Sequence, residues 1–193
     1  MIDAGYFARR VKPTPDHLAA PGVREICSVS ECISPGADHW IASWRHNSLG
    51  WFNSPSDALK VVAESERGDY RLFAYRIHPE VFRRAHRAPL ELPDDVRPEP
   101  LPAGFATIGF DSANRSAAET LSFECSPLSC NGLASEMVVN EHCLFPTLDA
   151  AIAGAERFAG EQPEPGDYYV VEVLEGGARI APSRSTNADR AST

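Results

Sequence analysis

The sequence has no apolar run approaching the roughly 18 consecutive residues that a membrane helix needs. Residues 1–23 mix Asp3, Arg9, Arg10, Lys12 and Asp16 with three prolines, and they hold no stretch that could serve as a signal-peptide core. Basic runs are scarce too: 18 Lys and Arg stand against 27 Asp and Glu, for a formal net charge of -9. Only Arg83, Arg84 and Arg87 cluster, in what reads as a loop, so no row of cations is available to neutralise phosphates. These absences predict a cytoplasmic protein that contacts neither nucleic acid nor membrane. A glycine-rich phosphate loop, a serine-hydrolase elbow and paired metal-ligand histidines are also missing, and Gly176-Gly177 reads as a turn after the last strand.

What is present is an ordinary globular composition, with 43% apolar, 23% charged and 9% aromatic residues in 193. The five cysteines, Cys27, Cys32, Cys125, Cys130 and Cys143, are odd in number. In the cytoplasm they are expected to stay thiols.

An internal repeat organises the chain. Cys27-Ser-Val-Ser-Glu-Cys32 has a counterpart in Cys125-Ser-Pro-Leu-Ser-Cys130, and Gly68-Asp69-Tyr70 recurs as Gly166-Asp167-Tyr168. Cys27 to Gly68 and Cys125 to Gly166 both span 41 residues. Between these anchors, Asn47 and Asn140 are each followed five positions later by Phe52 and Phe145, and then by Asp57-Ala58 and Asp149-Ala150. The pattern predicts an α+β fold made of an internally duplicated strand-strand-helix-strand unit, its two copies packed with pseudo-twofold symmetry. The copies are expected at about 23–87 and 105–182, forming a single domain over 1–182. A proline-rich linker over 88–104 joins them, and 183–193 is expected to be a disordered tail.

Within each copy the first strand is expected at 23–29 and 121–127. Ser54-Pro55-Ser56-Asp57 has the form of a helix start, with Ser54 as cap and Pro55 at the first helical position. In the second copy Leu148, Ile152, Ala155 and Ala159 recur at helical spacing and predict one apolar stripe. After each Gly-Asp-Tyr comes an alternating strand: Phe73, Tyr75 and Ile77 in one copy, Tyr169, Val171 and Val173 in the other.

Candidate chemistry lies in three groups. Cys27, Cys32, Cys125 and Cys130 could close a tetrahedral zinc site as a structural module, although four intervening residues are more than zinc knuckles use. Small buried thiols are the simpler reading. The aromatic and polar cluster of Trp40, Trp44, Arg45, His46, Asn47, Trp51 and Asn53 suits a ligand pocket or a protein-binding hot spot, or else a cap on the core between the copies.

The run Leu49-Gly-Trp-Phe-Asn-Ser54, the helix with Ala58 and the strand Tyr70-Arg-Leu-Phe-Ala-Tyr75 resemble the Phe-x-Ser, helix, strand pattern of small ADP-ribosyltransferase-like proteins. The resemblance implies that Arg24 holds a dinucleotide and that Ser54 shapes a nicotinamide pocket. A glutamate would activate the acceptor. Glu66 has the Glu-x-Glu form with Glu64, and Glu172 lies in the last strand.

Two functions follow. One is a small acidic intracellular binding protein with an inhibitor, antitoxin-like or adaptor role, using no cofactor and docking a basic protein partner. The other, implied by the resemblance, is an ADP-ribosyltransferase-like or other NAD- or nucleotide-processing enzyme, with NAD as cofactor and Arg24, Ser54, Glu66 and Glu172 as its candidate catalytic residues. The missing catalytic motifs favour the first.

Overall fold

A computed structural model of the chain describes residues 1–9, 11, 13–14, 20–29, 46–63, 70–79, 92–115, 125–129, 133–161 and 167–180. In chain order the elements are β1 (Ile2–Arg9), α1 (Pro55–Ala63), β2 (Tyr70–Ile77), β3 (Phe105–Arg115), α2 (Leu148–Glu161) and β4 (Asp167–Ile180). A 3-10 turn lies at Leu133–Glu136. The four strands form one antiparallel sheet in the order β1-β2-β4-β3, giving a mixed α and β fold with few helices. No helix among the described residues is long and apolar enough to cross a membrane.

One expected strand is corrected: among the described residues, segment 23–29 carries an isolated bridge, Pro13 to Glu25, and no strand. Of the strand expected at 121–127, residues 121–124 lie outside the described residues, and Cys125 makes an isolated bridge to Asn114. The outer strands are instead β1 and β3. β1 precedes the expected first boundary at residue 23, yet it pairs with β2 along its whole length. Its alternation is interrupted by Gly5 at a bulge, and β3 has the same interruption at Gly109. Both glycines have φ values open to glycine, 147° and 153°. A Cβ at Gly5 would lie 2.8 Å from the Phe52 carbonyl oxygen, and one at Gly109 2.7 Å from the Leu144 Cβ.

The close approach at those glycines lets a loop cover each outer strand. Tyr6 and Phe52 exchange backbone hydrogen bonds of 2.8 Å each, and Phe110 and Phe145 exchange bonds of 2.9 and 2.8 Å. Strand edges with unpaired backbone groups invite association with other chains, and these loop contacts satisfy part of each edge.

α1 begins as its sequence predicts. The Ser54 hydroxyl accepts the Asp57 amide at 3.1 Å, and for α2 the Thr147 hydroxyl accepts the Ala150 amide at 3.2 Å. The buried face of α2 is rotated from the expected stripe. Ala151, Gly154, Ala155 and Phe158 are buried, whereas Leu148 and Ile152 are partly exposed and Ala159 is exposed. Small residues win the inner face because the Phe145 ring lies against Gly154, leaving room for no side chain there.

Among the described residues, two apolar clusters fill the interior. The first gathers β1, α1 and β2 but also takes Ala113, Leu144, Val171, Val173 and Leu174 from the second half. The second surrounds α2 with Leu128, Phe145, Tyr168 and Val170. Between them lies a polar knot. Asp111 is fully buried. One of its oxygens accepts Ser28 Oγ and the Val29 amide at 2.9 Å each, and the other accepts Ser126 Oγ at 2.6 Å and the Ser112 amide at 2.8 Å. Buried Arg9 donates to the Ser28 carbonyl and the Tyr75 hydroxyl, and its guanidinium lies 5.0 Å from the centre of the Phe73 ring. A buried charge is tolerated only when so partnered. These bonds fix loop 20–29 over the sheet and so position the site.

Candidate functional site

The site forms where loop 20–29 meets loop 140–145 above the two central strands. Backbone bonds tie the loops together: the Arg24 and Glu25 amides donate to the Glu141 carbonyl at 2.9 and 3.2 Å, and the Cys27 amide to the His142 carbonyl at 3.0 Å. Glu25 and Cys27 fall on the same side, their side chains in contact at 3.6 Å. The turn carrying His142 is closed by Cys143 at φ 58°, and Asn140 caps it by accepting the His142 and Leu144 amides at 3.0 and 3.2 Å.

From below, β2 supplies Arg71 and β4 supplies Glu175. Arg71 grips Glu175 through Nε and Nη2, each 2.5 Å from a carboxylate oxygen, and reaches Glu25 Oε2 through Nη1 at 2.7 Å. The other Glu25 oxygen lies 2.6 Å from His142 Nδ1 and accepts the Cys27 thiol at 3.6 Å. Arg24 and Glu141 close the rim with an ion pair of 3.0 Å, their side chains 81% and 49% exposed. Together Arg24, Glu25, Arg71, Glu141, His142 and Glu175 line a pocket of about 280 Å³.

The electrostatics follow from this geometry. Burial acts to raise the Glu25 carboxyl, but hydrogen bonds from Arg71 and His142 outweigh it and hold the group below its ordinary value. For Arg71, burial works against the charge, and the two glutamates reverse that and raise its pKa. Burial, reinforced by the negative charge of Glu25, pushes the Cys27 thiol up to about 12. Cys143 is pushed to about 12 by burial and by Asp111. Both sulfurs therefore carry protons near neutrality, the opposite of what an activated nucleophile needs.

Of the residues that the sequence singles out, Arg24 alone joins this pocket's lining, with Cys27 directly behind Glu25. Ser54 is spent on capping α1 and also donates to Asp57 Oδ2 at 3.0 Å. Glu172 is buried, accepting Thr107 Oγ1 at 2.6 Å and lying 3.7 Å from Arg76. Of the aromatic cluster, Trp51 and Asn47 are buried in the interior, where Trp51 stacks on Tyr75 with ring centres 4.6 Å apart. His46 stacks on Phe52 at 4.7 Å. Asn53 accepts from Asn47 and the Arg97 amide and donates to the Asp95 carbonyl. These four residues serve the core and its loops. Cys125 is buried. Cys32, Trp40, Trp44, Arg45, Glu66 and Cys130 lie outside the described residues.

Glu25, Arg71, Glu141, His142 and Glu175 are the members that the sequence reading misses. Their contacts cross 117 positions for Glu25 with His142 and 104 for Arg71 with Glu175, so no local spacing reveals them. The one local signal is Glu25 two residues before Cys27. Comparison with protein-family models, with curated proteins and with solved structures finds no match to this chain.

Proposed function

We propose that this chain is a small acidic binding protein, with an inhibitor, antitoxin-like or adaptor role, that receives a cationic side chain of a basic protein partner at the pocket lined by Glu25, Glu141 and Glu175. The observation that carries the reading is the rim pair. Arg24 and Glu141 are largely exposed, and exposed ion pairs are worth only about 0–1 kcal/mol. Arg24 thus acts as a placeholder that a partner's Lys or Arg displaces at little cost. Beneath it, Arg71 neutralises much of Glu25 and Glu175 and holds both carboxylates in place before a partner arrives.

The net charge of -9 supports the choice of a basic partner through long-range steering. The raised thiols speak for binding rather than covalent catalysis. An NAD-processing activity would need Arg24, Ser54 and a glutamate around one cleft, and the pocket holding Arg24 is lined by neither Ser54 nor Glu172. A cytoplasmic location without nucleic-acid contact belongs to the same proposal.

The reading of the fold as two packed copies of one unit is proposed alongside it. Three paired features support it: the bulges at Gly5 and Gly109, the loop contacts of Phe52 and Phe145, and the caps of Ser54 and Thr147. A rotation axis would then run between β2 and β4, the two central strands.

The test is a low-salt pull-down with the wild-type chain and with Glu141→Lys, followed by binding measurements on each recovered protein after purification. A basic protein that binds the wild type and is lost with Glu141→Lys, but is kept when Asp149 on α2 is reversed, supports the proposal. Binding that survives Glu141→Lys, or a wild type that recovers no partner, removes its basis.

A further inference from the structure

The floor of the same pocket carries a second arrangement that docking of a partner does not require. Glu25 Oε1, Cys27 Sγ and a ring nitrogen of His142 all lie within 4.8 Å of one another. They are three different donors: a carboxylate oxygen, a sulfur and an imidazole nitrogen. We propose that these residues form a site for a zinc-type divalent ion, with its fourth position open to the pocket.

Distances support the assignment. Bonds of about 2.0–2.3 Å from zinc to oxygen, nitrogen and sulfur place tetrahedral donors about 3.3–3.7 Å apart. Cys27 Sγ and Glu25 Oε1 already stand 3.6 Å apart. His142 Nδ1 lies 2.6 Å from the same oxygen, so it must withdraw by roughly an ångström as the ion replaces the shared proton. The donors are held without an ion, because Cys27 and Glu25 are bonded through their backbone amides to the loop that carries His142.

The surroundings match what metal sites use. Of the two Glu25 oxygens Arg71 binds Oε2, orienting that carboxylate and leaving Oε1 for the ion. Arg71 is itself anchored by Glu175, so its charge is balanced within the sheet. Once Cys27 gives up its proton, a thiolate and one carboxylate balance a divalent charge. The thiol is fully buried, while Glu25 and His142 reach the pocket, which provides an entry path. A mixed sulfur, nitrogen and oxygen set favours zinc over calcium or magnesium, which take oxygen donors. This ligand set differs from the four-cysteine arrangement considered from sequence, sharing only Cys27 with it.

The test uses the full chain, stripped of metal, with no partner present, so its outcome is separate from that of the docking proposal. Titration with Co²⁺ is expected to saturate at one ion per chain and to develop the near-ultraviolet sulfur-to-cobalt charge-transfer band. Zn²⁺ should then displace the cobalt and raise the unfolding midpoint. Cys27→Ser should abolish the band, and His142→Gln should weaken cobalt binding by at least about tenfold, while Cys125→Ser changes neither. Far-ultraviolet circular dichroism checks that each variant is folded. Should Cys27→Ser fail to fold, loss of the wild-type band on adding Zn²⁺ together with the His142→Gln weakening decides the matter. Binding without the charge-transfer band, a band retained by folded Cys27→Ser, or no binding at all overturns the assignment in favour of a hydrogen-bonded cluster without metal.

Discussion

Asn140 holds its loop against β3 with the same bonds that Asn47 uses against β1. Asn47 Nδ2 donates to the Ala4 carbonyl at 2.9 Å, and its Oδ1 accepts the Leu49 and Trp51 amides at 3.0 and 3.2 Å. Asn140 Nδ2 donates to the Ile108 carbonyl at 2.7 Å, and its Oδ1 accepts the His142 and Leu144 amides. Each side chain therefore replaces backbone partners that the bulged strand does not supply. Asn47→Ala is expected to lower stability by about 2–3 kcal/mol, because buried donors and acceptors lose partners, and Asn140→Ala, whose side chain is half-buried, by about 1–2 kcal/mol. Urea unfolding measures both. A loss below about 0.5 kcal/mol in either variant would show that its loop is held otherwise.

Gly154 gives a prediction whose sign runs against propensity. Gly to Ala inside an exposed helix stabilises by roughly 0.5–1 kcal/mol. Here an added Cβ would lie 2.3 Å from Phe145 Cζ, and Phe145 is almost fully buried, so the ring has nowhere cheap to move. Gly154→Ala is expected to cost about 1–3 kcal/mol by overpacking. The double variant Gly154→Ala with Phe145→Leu should recover part of that loss, as a thermal melt would register.

The elements that were legible in sequence are those with local causes. The Ser54-Pro55 start of α1 and the presence of strand β2 can be read from neighbouring residues. The alternation expected along β2 is not found, since Leu72, Phe73, Ala74 and Tyr75 are all buried and the strand is covered on both faces. β1 and β3 are not legible in the same way, because a glycine breaks each alternation at its bulge. The local signal the two strands share is a glycine followed by an aromatic, Gly5-Tyr6 and Gly109-Phe110. In α2 the true inner face is marked by small residues rather than large apolar ones, and periodicity alone cannot weigh a neighbouring phenylalanine. The pocket was nearly invisible, since its ion pairs join residues about a hundred positions apart, and only tertiary structure brings Arg71 under Glu25.

Thiol reactivity follows from burial. Cys27 and Cys143, each pushed up to about 12, are expected to alkylate at about pH 8 at least a hundredfold more slowly in the folded, metal-free chain than in denaturant. Site-resolved mass spectrometry of iodoacetamide-treated samples gives the two rates separately. Rapid native labelling of Cys27 would contradict the protonated, enclosed sulfur described above.

His46 supplies a pH dependence. Burial against Phe52 lowers its pKa from the ordinary value of about 6.5. The unfolded chain therefore binds a proton more readily than the folded one. Stability is complete above the unfolded value and is lost as pH falls from there through the folded value. His46→Phe should flatten the stability change between about pH 7.5 and about pH 5.5. An unchanged slope would place the titration on another group.

The direct measurement of the central claim is the affinity of a purified basic partner for three chains: wild type, Arg24→Ala and Glu141→Lys. If a partner's cation takes the place of Arg24, removing Arg24 frees Glu141 and binding tightens or stays equal, while Glu141→Lys abolishes it. A loss of affinity with Arg24→Ala as large as that with Glu141→Lys would mean that the rim pair itself is the contact, and the placeholder account would be wrong.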